Sequence, residues 1–161
     1  MNEDTKLQAL QASRLATDLD ADECRVLATL CSVRDLADGE VLVSEGTADN
    51  QLHMIVTGAL GVIRNAGTDN RVTLAVLAAG DLAGELGFID GTERSVTLAA
   101  MGKSRVISLE REKLESLLTT HPFVVYRVMR AIIRTVHDIQ RRLSLQAIEL
   151  QNYIYKQHGR Y

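Results

Sequence analysis

The sequence has too few cysteines for a disulfide framework or a cysteine-rich metal centre. The two cysteines among the 161 residues are Cys24 and Cys31. On one helix they would lie about 10 Å apart, which is too far for a disulfide between them. An iron–sulfur or structural metal site would need more ligands. We therefore expect two reduced, partly buried thiols in a cytoplasmic protein.

Long hydrophobic runs are also missing. The longest uninterrupted apolar stretches, such as residues 74–79, are much shorter than the roughly 20 residues that a membrane-spanning helix needs. The first residues are acidic and mixed, with no basic region followed by an apolar one. We therefore expect neither a secretory signal nor a contact with the membrane.

Positive charge is not in excess. Eighteen Lys and Arg against 21 Asp and Glu give a formal net charge of −3, which argues against nucleic-acid binding by the whole domain. Five arginines are spread around a predicted C-terminal helix, and we interpret them as a solvated face and not as a nucleic-acid patch. They are Arg127, Arg130, Arg134, Arg141 and Arg142.

Histidines are few and scattered, which bears on catalysis. Of the four, only His53 lies in the part of the chain that resembles a sheet. A metal-dependent cupin, which shares a β-roll, needs clustered histidines and a carboxylate. No nucleophile and base stand out as a pair either. We expect no metal site and no enzymatic activity.

The glycines divide the chain into three segments. Residues 1–32 have a helical pattern, in which Asp20 and Glu23 form a predicted capping box. Residues 33–110 alternate short β-branched runs with glycine turns, at a spacing of roughly 8–12 residues that is typical of antiparallel sandwiches and rolls. The runs are 41–43, 52–56, 60–63, 72–77, 96–98 and 105–109, and the breakers between them include Gly46, Gly58, Gly67, Gly80 and Gly102. The pattern predicts an α+β fold with an antiparallel β-roll (a double-stranded β-helix or jelly roll).

The third segment, residues 111–161, predicts a short helix over 112–118 and a long one that Pro122 opens. Apolar residues recur along the long helix at alternating steps of three and four, which favours a two-stranded coiled coil and hence a homodimer. The seam consists of Met129, Ile132, Val136, Ile139, Leu143, Gln146, Leu150 and Tyr153. The alternative is a helix that only covers its own sheet.

The segment 84–97 carries the residues most suited to a ligand. Gly84 lets a ligand approach the backbone, and a helical turn over 85–89 would offer free amides to an anion. Arg94 can hold a phosphate with two parallel hydrogen bonds, and Ser95 adds donors. Glu85 would repel a phosphate but can accept from a sugar hydroxyl. Together these residues favour a ligand with one phosphate beside one sugar hydroxyl.

The spacing Gly84-Glu85-Leu86-Gly87, six further residues and then Arg94-Ser95 resembles the phosphate-binding cassette of cyclic nucleotide-binding domains. This is the family of the bacterial catabolite activator protein and the protein kinase A regulatory subunits, and the resemblance covers residues 15–155. It implies that Glu85 binds the ribose 2′-hydroxyl. It also implies that Arg94 and Ser95 hold the cyclic phosphate, helped by the amides around Leu86 and Gly87.

The resemblance also assigns residues outside the cassette. It implies that Val62 and Leu74, on facing strands, flank the ribose and base, and that Arg142 pairs with the cassette glutamate. Gln146 falls where activator-type members place a hydroxyl residue that reaches the purine across the dimer. A glutamine can read adenine or guanine, and cyclic AMP is favoured over cyclic GMP as the ligand. The alternative for Gln146 is a polar seam residue that sets the register of the dimer.

Departures from the family pattern occur at Ala83, where a larger apolar residue is usual, and at Val96, where alanine is usual. The leading hypothesis is a dimeric cyclic mononucleotide sensor that signals to a protein partner in trans, through the long helix and the tail 155–161. One alternative is a ligand-independent interaction domain, in which Glu85 and Arg94 form only a structural ion pair. Another is the sensor fragment of a longer activator-type transcription regulator. The chain itself leaves no room for that family's DNA-binding domain, so we expect no direct contact with nucleic acid.

Overall fold

The computed structural model describes residues 3–158, with the side chains of 157 and 158 left aside. Residues 1–2 and 159–161, the ends of the first and third predicted segments, lie outside it. The first segment folds into helix α1 (Glu3–Gln11), a 3₁₀ helix (Arg14–Asp18) and helix α2 (Ala21–Leu30). The capping box of α2 is confirmed: Glu23 N donates to Asp20 Oδ1 over 2.9 Å, and Asp20 N donates to Glu23 Oε2 over 3.0 Å.

The middle segment forms one antiparallel sheet, as predicted. Its central path runs β1-β6-β3-β4, with β2 on β6 and β5 on β3. The strands are β1 (Ser32–Leu36), β2 (Val41–Val43), β3 (Gln51–Arg64), β4 (Val72–Ala78), β5 (Leu82–Ala83) and β6 (Thr97–Glu110). With helices before and after the sheet, the α+β class is confirmed.

Two glycines that the sequence predicts as strand breakers lie inside strands. Gly58 lies in β3 and Gly102 in β6, each with a positive φ (+79° and +78°). The pairing of β3 with β6 shifts register between Ile55 and Thr57 and again between Thr57 and Ala59, the interval that contains Gly58. A Cβ on Gly58 would lie 2.5 Å from the carbonyl oxygen of Lys103 on the opposite strand. Both glycines lie at irregular points of long strands, and Gly58 also lets β3 approach β6 closely. The prediction of separate short strands was therefore wrong for the runs that merge into β3 and β6, whereas the runs 41–43 and 72–77 correspond to β2 and β4.

Three helices complete the fold: α3 (Glu85–Asp90), α4 (Arg111–Glu115) and α5 (Pro122–His158). Helix α4 starts one residue earlier and ends three residues earlier than predicted. The largest core cluster joins the N-terminal helices, the sheet, α3 and the first part of α5. Its fully buried members include Leu10, Leu15, Leu27, Leu52, Phe88, Leu109, Val128 and Ile132. Between residues 3 and 158, no helix is long and apolar enough to cross a membrane.

Helix α5 changes environment halfway along its length. Ile132 is fully buried, and Met129, Val136 and Ile139 are partly buried, so this part of the predicted seam covers its own domain. From residue 140 to 156 every side chain is exposed. Leu143 and Leu150 are 60% and 61% exposed. The helix-over-its-own-domain alternative therefore describes the first half of the seam, and only the second half is available to a partner helix.

Three of the arginines that we interpreted as a solvated face also form ion pairs. Arg127 pairs with Glu23 at the start of α2. Arg134 and Arg130 lie 2.7 Å and 3.6 Å from the same oxygen of Asp18, at the end of the 3₁₀ helix. Arg130 and Arg134 are exposed, as predicted, and Arg127 is partly buried. The ion pairs were not predicted, because the carboxylate partners are more than 100 positions away in the chain. These partly exposed pairs tie the first half of α5 to the N-terminal helices, and each contributes little to stability.

Candidate ligand-binding site

A cavity of about 380 Å³ lies between the sheet, the segment that follows β5 and helix α5. This volume is within the range of small-molecule sites, roughly 300–1,000 Å³. Seven of the ten residues predicted to bind a ligand line it. They are Val62, Leu74, Gly84, Glu85, Arg94, Arg142 and Gln146. The structure thus brings together residues that are up to 84 positions apart in the chain (62 to 146).

The other three predicted residues, Leu86, Gly87 and Ser95, do not line the cavity. Leu86 is 59% exposed and Ser95 is also exposed. Gly87 is buried beneath Arg94: a Cβ added there would lie 2.9 Å from Arg94 Nη1. In this structure Gly87 therefore makes room for the arginine and does not face the cavity.

Gly84 serves Arg94 in the same way from the other side. It precedes α3 with φ +83°, a left-handed conformation that few other residues adopt readily. A Cβ on Gly84 would lie 2.6 Å from Arg94 Nη1, and its carbonyl accepts a hydrogen bond from that same nitrogen. Within the cassette (residues 84–97), Gly84 and Gly87 thus form a slot for one guanidinium group.

Arg94 is almost fully buried, with 8% of its surface exposed. Its Nη2 donates to the carbonyl of Gln51 over 2.7 Å and to Asp49 Oδ2 over 3.2 Å. Its ion-pair partner is therefore Asp49 and not Glu85, which corrects the structural-pair alternative. Among the described residues, Arg94 Nε is the one buried side-chain nitrogen or oxygen without a hydrogen-bond partner. An unpaired buried N–H of a cation is a strong donor for an anion that enters the cavity.

Asp49 and His53 lie behind Arg94, and sequence reasoning did not assign either of them to the site. His53 Nε2 lies 3.0 Å from Asp49 Oδ2, and its Nδ1 lies 2.7 Å from Ser108 Oγ on β6. Burial pushes the pKa of Asp49 upwards, but the hydrogen bond from His53 and the nearby charges of His53 and Arg94 outweigh this and lower it below its ordinary value. The carboxylate is therefore ionised at neutral pH. Asp49 and Arg94 are 45 positions apart, too far for any local motif to reveal the pair.

The two residues predicted to flank the ribose and base lie along the walls of the cavity. Val62 on β3 and Leu74 on β4 occupy adjacent antiparallel strands, where Val62 pairs with Ala75. Glu85 is half-buried and Arg142 is exposed. Within residues 3–158, no ion pair or hydrogen bond links Glu85 to Arg142, so the pairing that the resemblance implied is not formed here.

Arg14, which sequence reasoning missed, also lines the cavity. Its Nε lies 3.4 Å from Asp81 Oδ1, in the turn before the cassette, and its Nη1 lies 3.6 Å from Asp138 Oδ2 on α5. The pairs are partly exposed, so each contributes little to stability. Through these two pairs, Arg14 connects the turn before the cassette to the long helix.

The two cysteines do not line this cavity. Cys24 and Cys31 are free and buried, and burial raises the pKa of the Cys31 thiol to about 12. In the described part of the chain, no group of three or more His, Cys, Asp or Glu side chains is placed to hold a metal ion.

Comparison with known proteins identifies the class to which this fold and site belong. The family model of the cyclic nucleotide-binding domain matches residues 33–121, more than half of the chain. The chain therefore belongs to the cyclic nucleotide-binding domain family, and the family predicted from the cassette spacing is confirmed.

Particular relatives are distant in sequence. The chain is 22% identical over 137 residues to the CRP-like cAMP-activated global transcriptional regulator of Mycobacterium tuberculosis, covering 78% of this chain and 61% of that protein. It is 25% identical over 111 residues to the Cyclic AMP receptor protein of Thermus thermophilus, covering 69% of this chain and 51% of that protein. The chain thus spans between one half and two thirds of the length of these curated relatives.

Among solved structures, a cyclic nucleotide-binding domain from Methylobacillus flagellatus superimposes with a TM-score of 0.76 at 25% identity. The match covers 87% of this chain and 79% of that one. It therefore includes segments on both sides of residues 33–121. The function shown at this level is that of a cyclic nucleotide-binding regulatory domain.

Proposed function

We propose that this chain is a cyclic AMP sensor whose ligand binds between the β-roll and α5. The observation that carries the proposal is the buried Arg94 with an unpaired Nε, in the same cavity as the carboxylate of Glu85. A cyclic mononucleotide carries one phosphate charge and one free ribose hydroxyl, the 2′-OH. An arginine donor and a carboxylate acceptor suit these two groups. We also propose Ser95 and the amides of Leu86 and Gly87 as donors to the phosphate. Because these three residues do not line the cavity, the cassette would have to close further on the ligand for them to reach it.

The base would lie toward α5. Val62 and Leu74 offer an apolar wall for the ribose and purine, and Gln146 offers a carboxamide that both donates and accepts. Because this amide can pair with either purine, the preference for cyclic AMP rests on the relatives, two of which carry cyclic AMP in their names.

We further propose that the protein is a dimer that signals in trans through α5. The exposed second half of α5 carries Leu143, Leu150 and Tyr153 at the spacing of a two-stranded coiled coil. The cavity lies where α5 leaves the core, since its lining runs from the buried Thr135 to the exposed Gln146. A ligand that contacts α5 there would favour one orientation of the exposed half of α5 relative to the domain. A protein partner would recognise that orientation.

The substitution Arg94→Gln tests the proposed site. It removes the positive charge and the Nε donor, so we expect cyclic AMP affinity to fall by about 100-fold. Isothermal titration calorimetry measures the affinity, and circular dichroism checks that the fold is kept. The matched control is Arg25→Gln, an exposed arginine on α2 that does not line the cavity. Unchanged affinity in Arg94→Gln would show that the cassette does not bind the phosphate.

A second candidate is a ligand-independent interaction domain. It is favoured by the three protein acceptors that Arg94 already has, namely the carbonyls of Gly84 and Gln51 and the carboxylate of Asp49. If this candidate is correct, neither cyclic AMP nor cyclic GMP gives heat or a thermal shift at millimolar concentration. A third candidate, the sensor part of a longer transcription regulator, is favoured by the greater length of the curated relatives.

A further inference from the structure

A row of four polar side chains runs from the sheet interior to the cavity: Ser108, His53, Asp49 and Arg94. The successive distances are 2.7, 3.0 and 3.2 Å. Ser108, His53 and Arg94 are 6%, 2% and 8% exposed, and the Asp49 side chain is 18% exposed. Ser108 lies directly opposite His53 in the pairing of β3 with β6. The row therefore begins at a pair of residues whose backbones are held by the pairing of β3 with β6.

The donors and acceptors in this row follow from the chemistry of the groups. A carboxylate only accepts hydrogen bonds, so both His53 Nε2 and Arg94 Nη2 donate, and both donate to the same oxygen, Oδ2 of Asp49. The other oxygen, Oδ1, accepts from the backbone N–H of Gln51 over 3.0 Å. Nδ1 bonds to the Ser108 hydroxyl in either charge state of the imidazole, because a hydroxyl can donate to an unprotonated nitrogen or accept from a protonated one. The imidazole is thus held on both sides, and both oxygens of Asp49 are bonded.

We propose that His53 is a positioning residue for phosphate recognition: it fixes the carboxylate of Asp49, which in turn holds Arg94 with its Nε available to the ligand. This inference rests on the proposed function for its effect on affinity. The other two acceptors of Arg94 are uncharged backbone carbonyls, so Asp49 is the one anion bonded to it among the described residues. Without His53, Oδ2 of Asp49 loses its second donor, and the carboxylate and the guanidinium both gain freedom to move.

A set of variants tests whether His53 acts through Asp49. We expect His53→Leu, which cannot donate, to weaken cyclic AMP binding by about ten-fold. We expect His53→Gln, whose amide can donate to the carboxylate, to stay within about two-fold of the unchanged protein. In an Asp49→Asn background, His53→Leu should cause little further loss. An equal loss in both backgrounds, or no rescue by glutamine, would overturn the proposal.

A measurement without nucleotide separates this inference from the proposed function. In ¹⁵N NMR spectra of the ligand-free chain, the Arg94 Nε–H signal is identified by its loss in Arg94→Gln. We expect His53→Leu and Asp49→Asn to move this signal and speed its exchange with water, and His53→Gln to leave it in place. An Arg94 signal that does not respond to His53→Leu would show that His53 does not position Arg94.

One further variant guards against a His53→Leu chain that does not fold. Ser108→Ala removes the Nδ1 partner of His53 with little change in the volume of the core, and the Arg94 Nε–H signal should move in the same direction. An unmoved Arg94 Nε–H signal in Ser108→Ala would contradict the proposed link from Ser108 through His53 and Asp49 to Arg94. If the unchanged chain binds no cyclic nucleotide, the proposed function fails, and the NMR arm still decides whether His53 positions Arg94.

Discussion

At the scale of single residues, the position of Arg94 depends on Gly84 and Gly87 and on partners far away in the chain. A Cβ at Gly84 or Gly87 would lie within 3.0 Å of the guanidinium. A movement of the Arg94 side chain would break buried hydrogen bonds, because the side chain is bonded to Gly84, Gln51 and Asp49. Gly84 and Gly87 therefore make room for the guanidinium, and Gly84 also allows the backbone turn.

The substitution Gly84→Ala tests this role against Gly67→Ala. Both glycines have a left-handed φ (+83° and +81°), so both substitutions strain the backbone by about 1–3 kcal/mol. Only at Gly84 does the new methyl group meet Arg94, since nothing lies within 4 Å of a Cβ at Gly67. We expect urea unfolding to show a loss of stability in both variants, larger in Gly84→Ala. Cyclic AMP affinity should fall in Gly84→Ala alone, and an equal fall in both would contradict this account.

The cassette motif and the family resemblance predicted seven residues that line the cavity, but not the residues that hold Arg94 in place. Glu85 and Arg94 share one motif with a fixed spacing, so both were found before the fold was known. Asp49 and His53 stand in no motif, and they meet Arg94 and Ser108 only because the sheet brings distant positions together. Arg14 was missed for the same reason, since it reaches the cavity from the N-terminal 3₁₀ helix.

At the scale of elements, α5 combines two roles that its sequence pattern does not separate. A single heptad seam runs along the helix, yet Ile132 is buried in the domain and Leu150 is 61% exposed. The periodicity reveals which face is apolar but not what covers it. Likewise, Gly58 and Gly102 indicate irregular points in β3 and β6. The sequence alone does not distinguish a bend within a strand from a turn between two strands.

The substitution Leu150→Glu tests the proposed dimer. Leu150 lies on the predicted seam, and a buried carboxylate there would oppose helix pairing. Light scattering of the unchanged protein should give a mass of twice 17.7 kDa, and Leu150→Glu should give a mass close to 17.7 kDa. Gln151→Glu adds the same charge one residue off the seam and should leave the dimer intact. Two variants with the mass of the unchanged protein would contradict dimerisation through this seam.

At the scale of the whole molecule, the cavity lies at the junction of the core and the exposed helix. The N-terminal helices hold the first half of α5 through apolar packing and through ion pairs with Asp18 and Glu23. The second half leaves the domain beside the cassette. The order of segments and the α+β class could be predicted from composition and periodicity. The contact between α5 and the N-terminal helices could not, because it joins residues more than 100 positions apart.

The most direct test of the central claim is a calorimetric titration of the nucleotide-free protein with cyclic AMP. The account predicts a saturable heat with one nucleotide per chain, together with a rise in the thermal unfolding midpoint, because a ligand that binds only the folded state stabilises it. Neither heat nor a thermal shift at millimolar cyclic AMP would contradict the account.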